Sequence, residues 1–299
     1  MESDNTFDKQ YDELEKDFRR QAKRDQEKSG HAVIYLPAIR PKSQVDFVFV
    51  GMEPSLNFAG SEKDASQEEV ARYKIAHGFK SSMFSIHDFI LHYSISHYLY
   101  RGDCHYHITD LSKGAMRVEQ ARREKPHERY KRWYPLLLKE IGIVSKENAR
   151  VFAIGRTVEQ FLKTPPSPFP RPIRIIPHFS PLAARYVDQF IAKRVADRVC
   201  KEFLGSFKNK ECERRLIQHI LKVAEDVMSQ AGLCVELKDQ TLSRLEKKTE
   251  LTKFQKKLIF AYKLAFDEVP DADMKDFVET TVYIEDIPWR EFPCVDPDE

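Results

Sequence analysis

Four short apolar runs, each closed by a glycine, a proline or a charged residue, constrain the fold more than any other feature of the chain. Val45-Asp-Phe-Val-Phe-Val50 ends in Gly51-Met-Glu-Pro54, and His105–Thr109 runs into Asp110-Leu-Ser-Lys113. Val151–Ile154 is closed by Gly155, and Ile173–Ile176 stops at Pro177-His178. Runs of this length and composition read as buried strands. Between them lie segments with apolar residues at helical spacing: Phe84, Phe89, Ile90, Tyr93, Ile95 and Tyr98, then Trp133–Ile141, then Val158, Phe161 and Leu162. Strands alternating with helices specify the α/β class, with a parallel sheet covered on both faces. In such sheets ligands bind outside the carboxyl ends of the strands. Glu53, Asp110 and His178 all fall there.

The first of these corners is the stiffest. Gly51 has access to dihedrals that other residues avoid, and Pro54 fixes its own φ while pushing Glu53 toward an extended conformation. A carboxylate is thus held on a rigid backbone. The rest of the chain divides into three stretches. Residues 1–30 carry Phe7, Tyr11, Leu14 and Phe18 at spacings of three and four among charges, which predicts an amphipathic helix docked on the body. Residues 31–204 form the main domain: an extended segment at His31–Arg40, then the strands and helices, with five prolines in Thr164–Pro172 making a rigid loop and one helix expected over Leu182–Phe203. Residues 205–299 change character and become a helical C-terminal extension, rich in Lys and Glu, with its one strand-like stretch at Cys234–Leu237 and an acidic end.

The net charge of +2 hides an asymmetry. Lys113–Arg132 holds eight Lys/Arg against three Glu, whereas Asp267–Glu299 holds twelve acidic residues against two basic ones. The first segment suits nucleic acid; the second would repel it. The acidic tail 267–299 can therefore occupy the basic face as an autoinhibitor or meet a protein partner, or remain a solvated tail. Five widely spaced cysteines without a C-x-x-C pair point to a reducing compartment and away from cysteine-based zinc or iron–sulfur sites. No apolar run reaches about 18 residues and charged residues follow Met1, so the expectation is a cytoplasmic protein with no membrane partner. His87, His92 and His97 stand five apart and do not share a helical face, so no metal site is expected.

Taken in order, Gly51-Met-Glu-Pro-Ser55, Ile108-Thr-Asp-Leu-Ser-Lys113, Val151-Phe-Ala-Ile-Gly155 and Pro177-His-Phe-Ser-Pro-Leu-Ala183 resemble the uracil-DNA glycosylase superfamily over about Val45–Arg198. The resemblance implies a four-stranded parallel sheet between helices, a three-layer α/β/α sandwich. It also implies DNA as partner, base flipping, and hydrolysis of an N-glycosidic bond without metal or cofactor, leaving an abasic site. The chemistry asks for the same residue types. Breaking the bond builds positive charge on the sugar and negative charge on the departing base. Glu53 is the candidate to stabilise the first and orient water, and His178 to donate to the second. The plainer alternatives are a helix-capping Glu53 and a turn-forming His178. Leu182 matches the family's wedge into the duplex, with a buried first-turn residue as its alternative. Ser180 and Ser55 are candidates to grip phosphates, joined by Lys113, Arg117, Arg122, Arg123, Arg129, Lys131, Arg132 and Arg185, although such charges also read as solvated faces. The resemblance further implies an aromatic that stacks on the flipped base, with Phe58 and Phe84 as candidates.

Departures from the family pattern bear on the substrate. Asp110 stands where the family's uracil readers carry Asn. An ionised carboxylate only accepts, so its partner should be a donor, such as the exocyclic amine of cytosine. Ser55 replaces the bulky Tyr of the commonest uracil enzymes and leaves room at C5. Excising ordinary cytosine would destroy the host genome. The favoured substrate is therefore a 5-substituted cytosine, hydroxymethylated or glucosylated, of bacteriophage DNA, and the role antiviral defence. A glycosylase for uracil or another deaminated base, and a catalytically silent DNA-binding module, are the alternatives. Phe179 replaces the family's usual Pro, and no motif supplies a lysine nucleophile, so lyase chemistry is not expected.

Overall fold

The computed structural model describes residues 2–54, 69, 72, 75–76, 78–83, 85–99, 106–123, 125–164 and 169–267, apart from the side chains of 2–5, 118, 119 and 122. The elements in chain order are α1 (Glu2–Ser29), β1 (Ile34–Tyr35), β2 (Val45–Gly51) and α2 (Ile86–Ser94), which continues as a π-helical turn at Ile95–Leu99. Next come β3 (Tyr106–Asp110), β4 (Gly114–Ala115), α3 (Val118–Arg123), α4 (Pro126–Val144), β5 (Ser145–Ile154), α5 (Arg156–Lys163) and β6 (Ile173–Ile176). After a 3₁₀ turn at Pro181–Ala183 the chain is helical: α6 (Ala184–Ala192), α7 (Asp197–Ser206), α8 (Lys210–Gln230), α9 (Val235–Glu246) and α10 (Lys253–Asp267). The protein is mixed α/β, and its sheet is four-stranded and parallel. It divides into two compact units that do not follow chain order. One comprises Met1–Phe84, Asp103–Ile175 and Gln230–Cys234, the other Ser85–Gly102, Ile176–Ser229 and Val235–Glu299.

In the first unit the strands lie in the order β3-β2-β5-β6. The chain leaves β2, pairs β3 on one side and returns to pair β5 on the other, so the connections diverge between β2 and β5. A crevice at the carboxyl ends of such a pair is where ligands bind in open α/β sheets. Side chains alternate across the sheet. Val48, Val50, Val151 and Ala153 face Tyr130, Tyr134, Leu137 and Ile141 of α4 and Val158 and Leu162 of α5. The opposite face carries Phe49 stacked on Phe152 at 4.8 Å. Gly155 closes β5 with φ 90° and ψ 161°, a conformation open essentially to glycine alone. β1 and β4 add a small antiparallel ladder, Ile34 opposite Ala115.

α1 belongs to this unit's core, as its spacing predicts. Leu14, Phe18 and Ala22 pack with Tyr35, Met116 and Trp133. Asp25 is buried beneath them and accepts from Trp133 Nε1 at 2.6 Å and Arg132 Nε at 2.8 Å. Arg40 ties the outer end through Asp8 and Asp12, each at 2.7 Å.

The second unit is helical, and α10 is its central element. Leu258–Phe266 is buried on every side, the pattern of an interior helix. It packs against α2, α6, α7 and the π-helical turn, with Phe260 stacked on Phe203 at 4.5 Å. Three expectations are corrected here. Residues 205–267 are not an appendage: α7 runs through Gly205, and α10 shares a unit with His178. The helix expected over Leu182–Phe203 is a 3₁₀ turn and two helices, broken at Lys193–Ala196 without a glycine or proline, with Asp197 favouring a fresh helix start. The strand-like Cys234–Leu237 opens α9, and of its three helical residues Val235 is exposed and only Leu237 is buried.

Candidate functional site

The first unit brings Glu53 and Asp110 to one edge of the sheet. Asp110 ends β3 directly opposite Gly51, and the two strands stay joined past their ends: Leu111 N–H donates to Gly51 O at 2.9 Å and Ser112 N–H to Met52 O at 3.1 Å. The Asp110 carboxylate lies over the Gly51 α-carbon, and the residue is 9% exposed. Gly51 is not in the left-handed region, so its value here is space, not the dihedral freedom expected from the sequence.

Glu53 is paired with Arg129, whose side chain is fully buried. Arg129 comes from α4, donates through Nη1 to Met116 Sδ at 3.2 Å and stands 5.6 Å from the centre of the Tyr130 ring. Burial, then the negative charge of Glu53, push the Tyr130 hydroxyl up, so it stays protonated beside the two carboxylates. Arg129 is therefore not a phosphate-gripping surface residue. It holds one carboxylate oxygen of Glu53 and so fixes that side chain.

Lys113 also departs from expectation. It is buried, its Nζ lies 2.7 Å from Glu140 Oε2, and it donates to Thr109 Oγ1 at 2.7 Å and Asp110 O at 3.0 Å. A side chain so enclosed cannot reach a phosphate. Glu140 also accepts from Thr109 Oγ1 at 2.8 Å and faces His107 Nε2 at 3.1 Å. Burial pushes the Glu140 carboxyl up, but the Lys113 ammonium and then His107 outweigh it and hold the group well below the usual carboxylate range. The cluster anchors the main chain of Asp110 from beneath.

In the second unit the Pro177–Ala183 turn carries His178 and Leu182. Ser180 N–H donates to His178 Nδ1 at 2.9 Å, which leaves Nε2 to carry the proton of the neutral ring. Burial pushes the imidazole down to about 4, so it is neutral at physiological pH. The backbone bond that the turn-forming alternative for His178 expects is thus present, and it also sets the tautomer of the ring. The Ser180 hydroxyl caps the 3₁₀ turn by accepting from Leu182 N–H at 3.3 Å, and Leu182 itself is 89% exposed. Tyr262 of α10 donates to Pro177 O at 3.1 Å and secures the turn from inside.

Among the remaining phosphate candidates, Arg185 and Arg123 are exposed and Arg117 is half-buried. Lys131 pairs with Glu128 at 3.0 Å, and Arg132 is held by Asp25. Ser55, Phe58, Phe84, the Arg122 side chain and the acidic tail beyond Asp267 lie outside the described residues. Cys200 and Cys234 are free thiols while Cys212 is disulfide-bonded, so the cysteines do not speak for one compartment. Among the described residues no helix is long and apolar enough to cross a membrane. Comparison of the chain with protein-family models, curated proteins and solved structures finds no match.

Proposed function

We propose that the chain is a DNA glycosylase built on a three-layer α/β/α sandwich, which flips a 5-substituted cytosine out of bacteriophage DNA and hydrolyses its glycosidic bond. The observation that carries this reading is the Pro177–Ala183 turn, where a neutral imidazole with its proton on Nε2 is followed four residues later by an almost fully exposed leucine. In this reading water attacks C1′ as the C1′–N1 bond breaks. Glu53, held by Arg129, orients the water and faces the positive sugar, the water's proton passes by way of Glu53 to solvent, and the base leaves as an anion that the His178 Nε2–H stabilises until solvent protonates it. Asp110 accepts from the exocyclic amine of the base. An abasic site remains, and the role is antiviral.

The test is abasic-site formation on matched duplexes containing uracil, cytosine, 5-hydroxymethylcytosine or its glucosylated form, with wild type and Asp110→Asn. The expected result is release of modified cytosine alone, lost in the variant. Release of uracil without modified cytosine would make the protein a repair enzyme. No release from any duplex would leave a DNA-binding module.

Leu182→Ala gives a second check. So exposed a side chain contributes little to folding, so the melting temperature should stay within about 1 °C, in keeping with the small effects of surface changes. Release from duplex should fall roughly 10-fold, since a lost wedge forfeits part of the few kcal/mol needed to unstack a base, while release from single strands is kept. Equal loss on both substrates would remove Leu182 from the wedge role.

A further inference from the structure

We infer that Gly51 is a specificity-determining residue: its missing side chain lets the Asp110 carboxylate face the base, and so selects which base is accepted. The inference rests on the reading of Asp110 as base reader. Gly51 and Asp110 are register partners across β2 and β3. A methyl built on Gly51 would overlap Asp110 Oδ1 outright, while the next nearest atoms, Asp110 Cγ and Thr109 O, lie at 3.5 Å, ordinary contact. Of these nearest atoms the methyl therefore clashes with Asp110 Oδ1 alone.

Which partner gives way is decided by the main chain. Leu111 N–H is bonded to Gly51 O at 2.9 Å and Ser112 N–H to Met52 O at 3.1 Å, so the two strand ends cannot part without losing both bonds. Lys113 Nζ holds Asp110 O at 3.0 Å from below. The backbone of Asp110 is thus fixed on two sides, and only its side chain can turn. Gly51 is not in the left-handed region, so alanine meets no backbone penalty there and the collision is the whole effect. Gly51→Ala should leave the strands paired and rotate the carboxylate away from the position in which it accepts from a base edge.

The experiment is a double-mutant cycle over wild type, Gly51→Ala, Asp110→Ala and the double variant, read by melting temperature and by release of modified cytosine and uracil from duplexes. Gly51→Ala is expected to lower the melting temperature in the wild-type background but not when residue 110 is alanine, because the struck atom is then gone. Its release of modified cytosine should fall roughly 10- to 100-fold, the scale of one base-edge contact. The double variant should be no slower than Asp110→Ala alone. If Gly51→Ala does not fold by itself, recovery of folding in the double variant shows the same coupling, and failure to recover overturns it. Additive melting shifts would overturn the role of Gly51 and leave the reading of Asp110 standing. Coupled melting shifts with wild-type selectivity in Gly51→Ala would likewise overturn it. No base release by the wild type would sink the glycosylase reading, and the specificity role with it, whatever the melting cycle shows.

Discussion

Replacing His178 with alanine is expected to slow base release roughly 100- to 1000-fold, the usual cost of one preorganised donor to a developing anion. The expectation rests on how the ring is held. With Ser180 N–H bonded to Nδ1, the neutral ring carries its proton on Nε2 and has no choice of tautomer. Burial then keeps it neutral down to about pH 4. If the rate is governed by this group as a fixed donor, it is flat from about pH 5 to 8, because the charge of the ring does not change in that range. A rate that rises or falls through pH 6.5 and loses that inflection in His178→Ala would show that an ordinary imidazole titrates, and would remove the fixed donor. Stability carries the same signature. The unfolded ring takes a proton near pH 6.5 and the folded ring only near 4. In that window the unfolded state binds more protons, so the contribution of this group is complete above about 6.5 and is lost as pH falls toward 4. His87, pushed down to about 4 by burial and then by Lys248, adds to the same loss.

Much of the framework is legible in the sequence, and what is not has identifiable causes. β2 and β6 read correctly because β-branched and aromatic runs end at glycine and proline, which interrupt strands. β5 begins six residues earlier than its apolar run, since Lys146–Asn148 is exposed and Ser145–Arg150 lacks the apolar signal of a buried strand. Of the two misread charges, Arg129 lies on a stripe that could have been seen, and Lys113 pairs with another member of that stripe, Glu140. Arg129, Trp133, Leu137, Glu140 and Val144 recur at three- and four-residue steps, so the periodicity that buries Trp133 buries Arg129 and Glu140 too. The density of basic residues around them suggested a solvated face. The central role of α10 was concealed in another way: four lysines in Lys253–Asp267 give it a polar composition, yet Lys263 is buried and closes on Asp267 at 2.6 Å. The space at Gly51 has no sequence signal, because it depends on which strands meet in three dimensions, whereas the bond from Ser180 to His178 is local and is what the turn-forming alternative for His178 expects.

Glu140→Leu should destabilise the first unit by roughly 3–5 kcal/mol, the cost of leaving a buried charge without its partner. For a unit of this size that lowers the melting temperature by roughly 6 to 20 °C. The cause is Lys113, whose ammonium is enclosed with Glu140 as its carboxylate partner. Adding Lys113→Met should recover most of the loss, because an apolar pair of similar volume replaces a buried ion pair at little cost. The sign with pH follows from the same geometry. The folded carboxyl is held below its unfolded value, so its contribution is present above about pH 4.3 and lost as pH falls further. Glu140→Leu should flatten that part of the acid limb in a melting series. If the single variant melts like wild type, the ion pair is not what supports the Asp110 corner. If it melts low and the double variant recovers while release of modified cytosine is reduced in both, then Lys113, through its bond to Asp110 O, is what holds Asp110 in place.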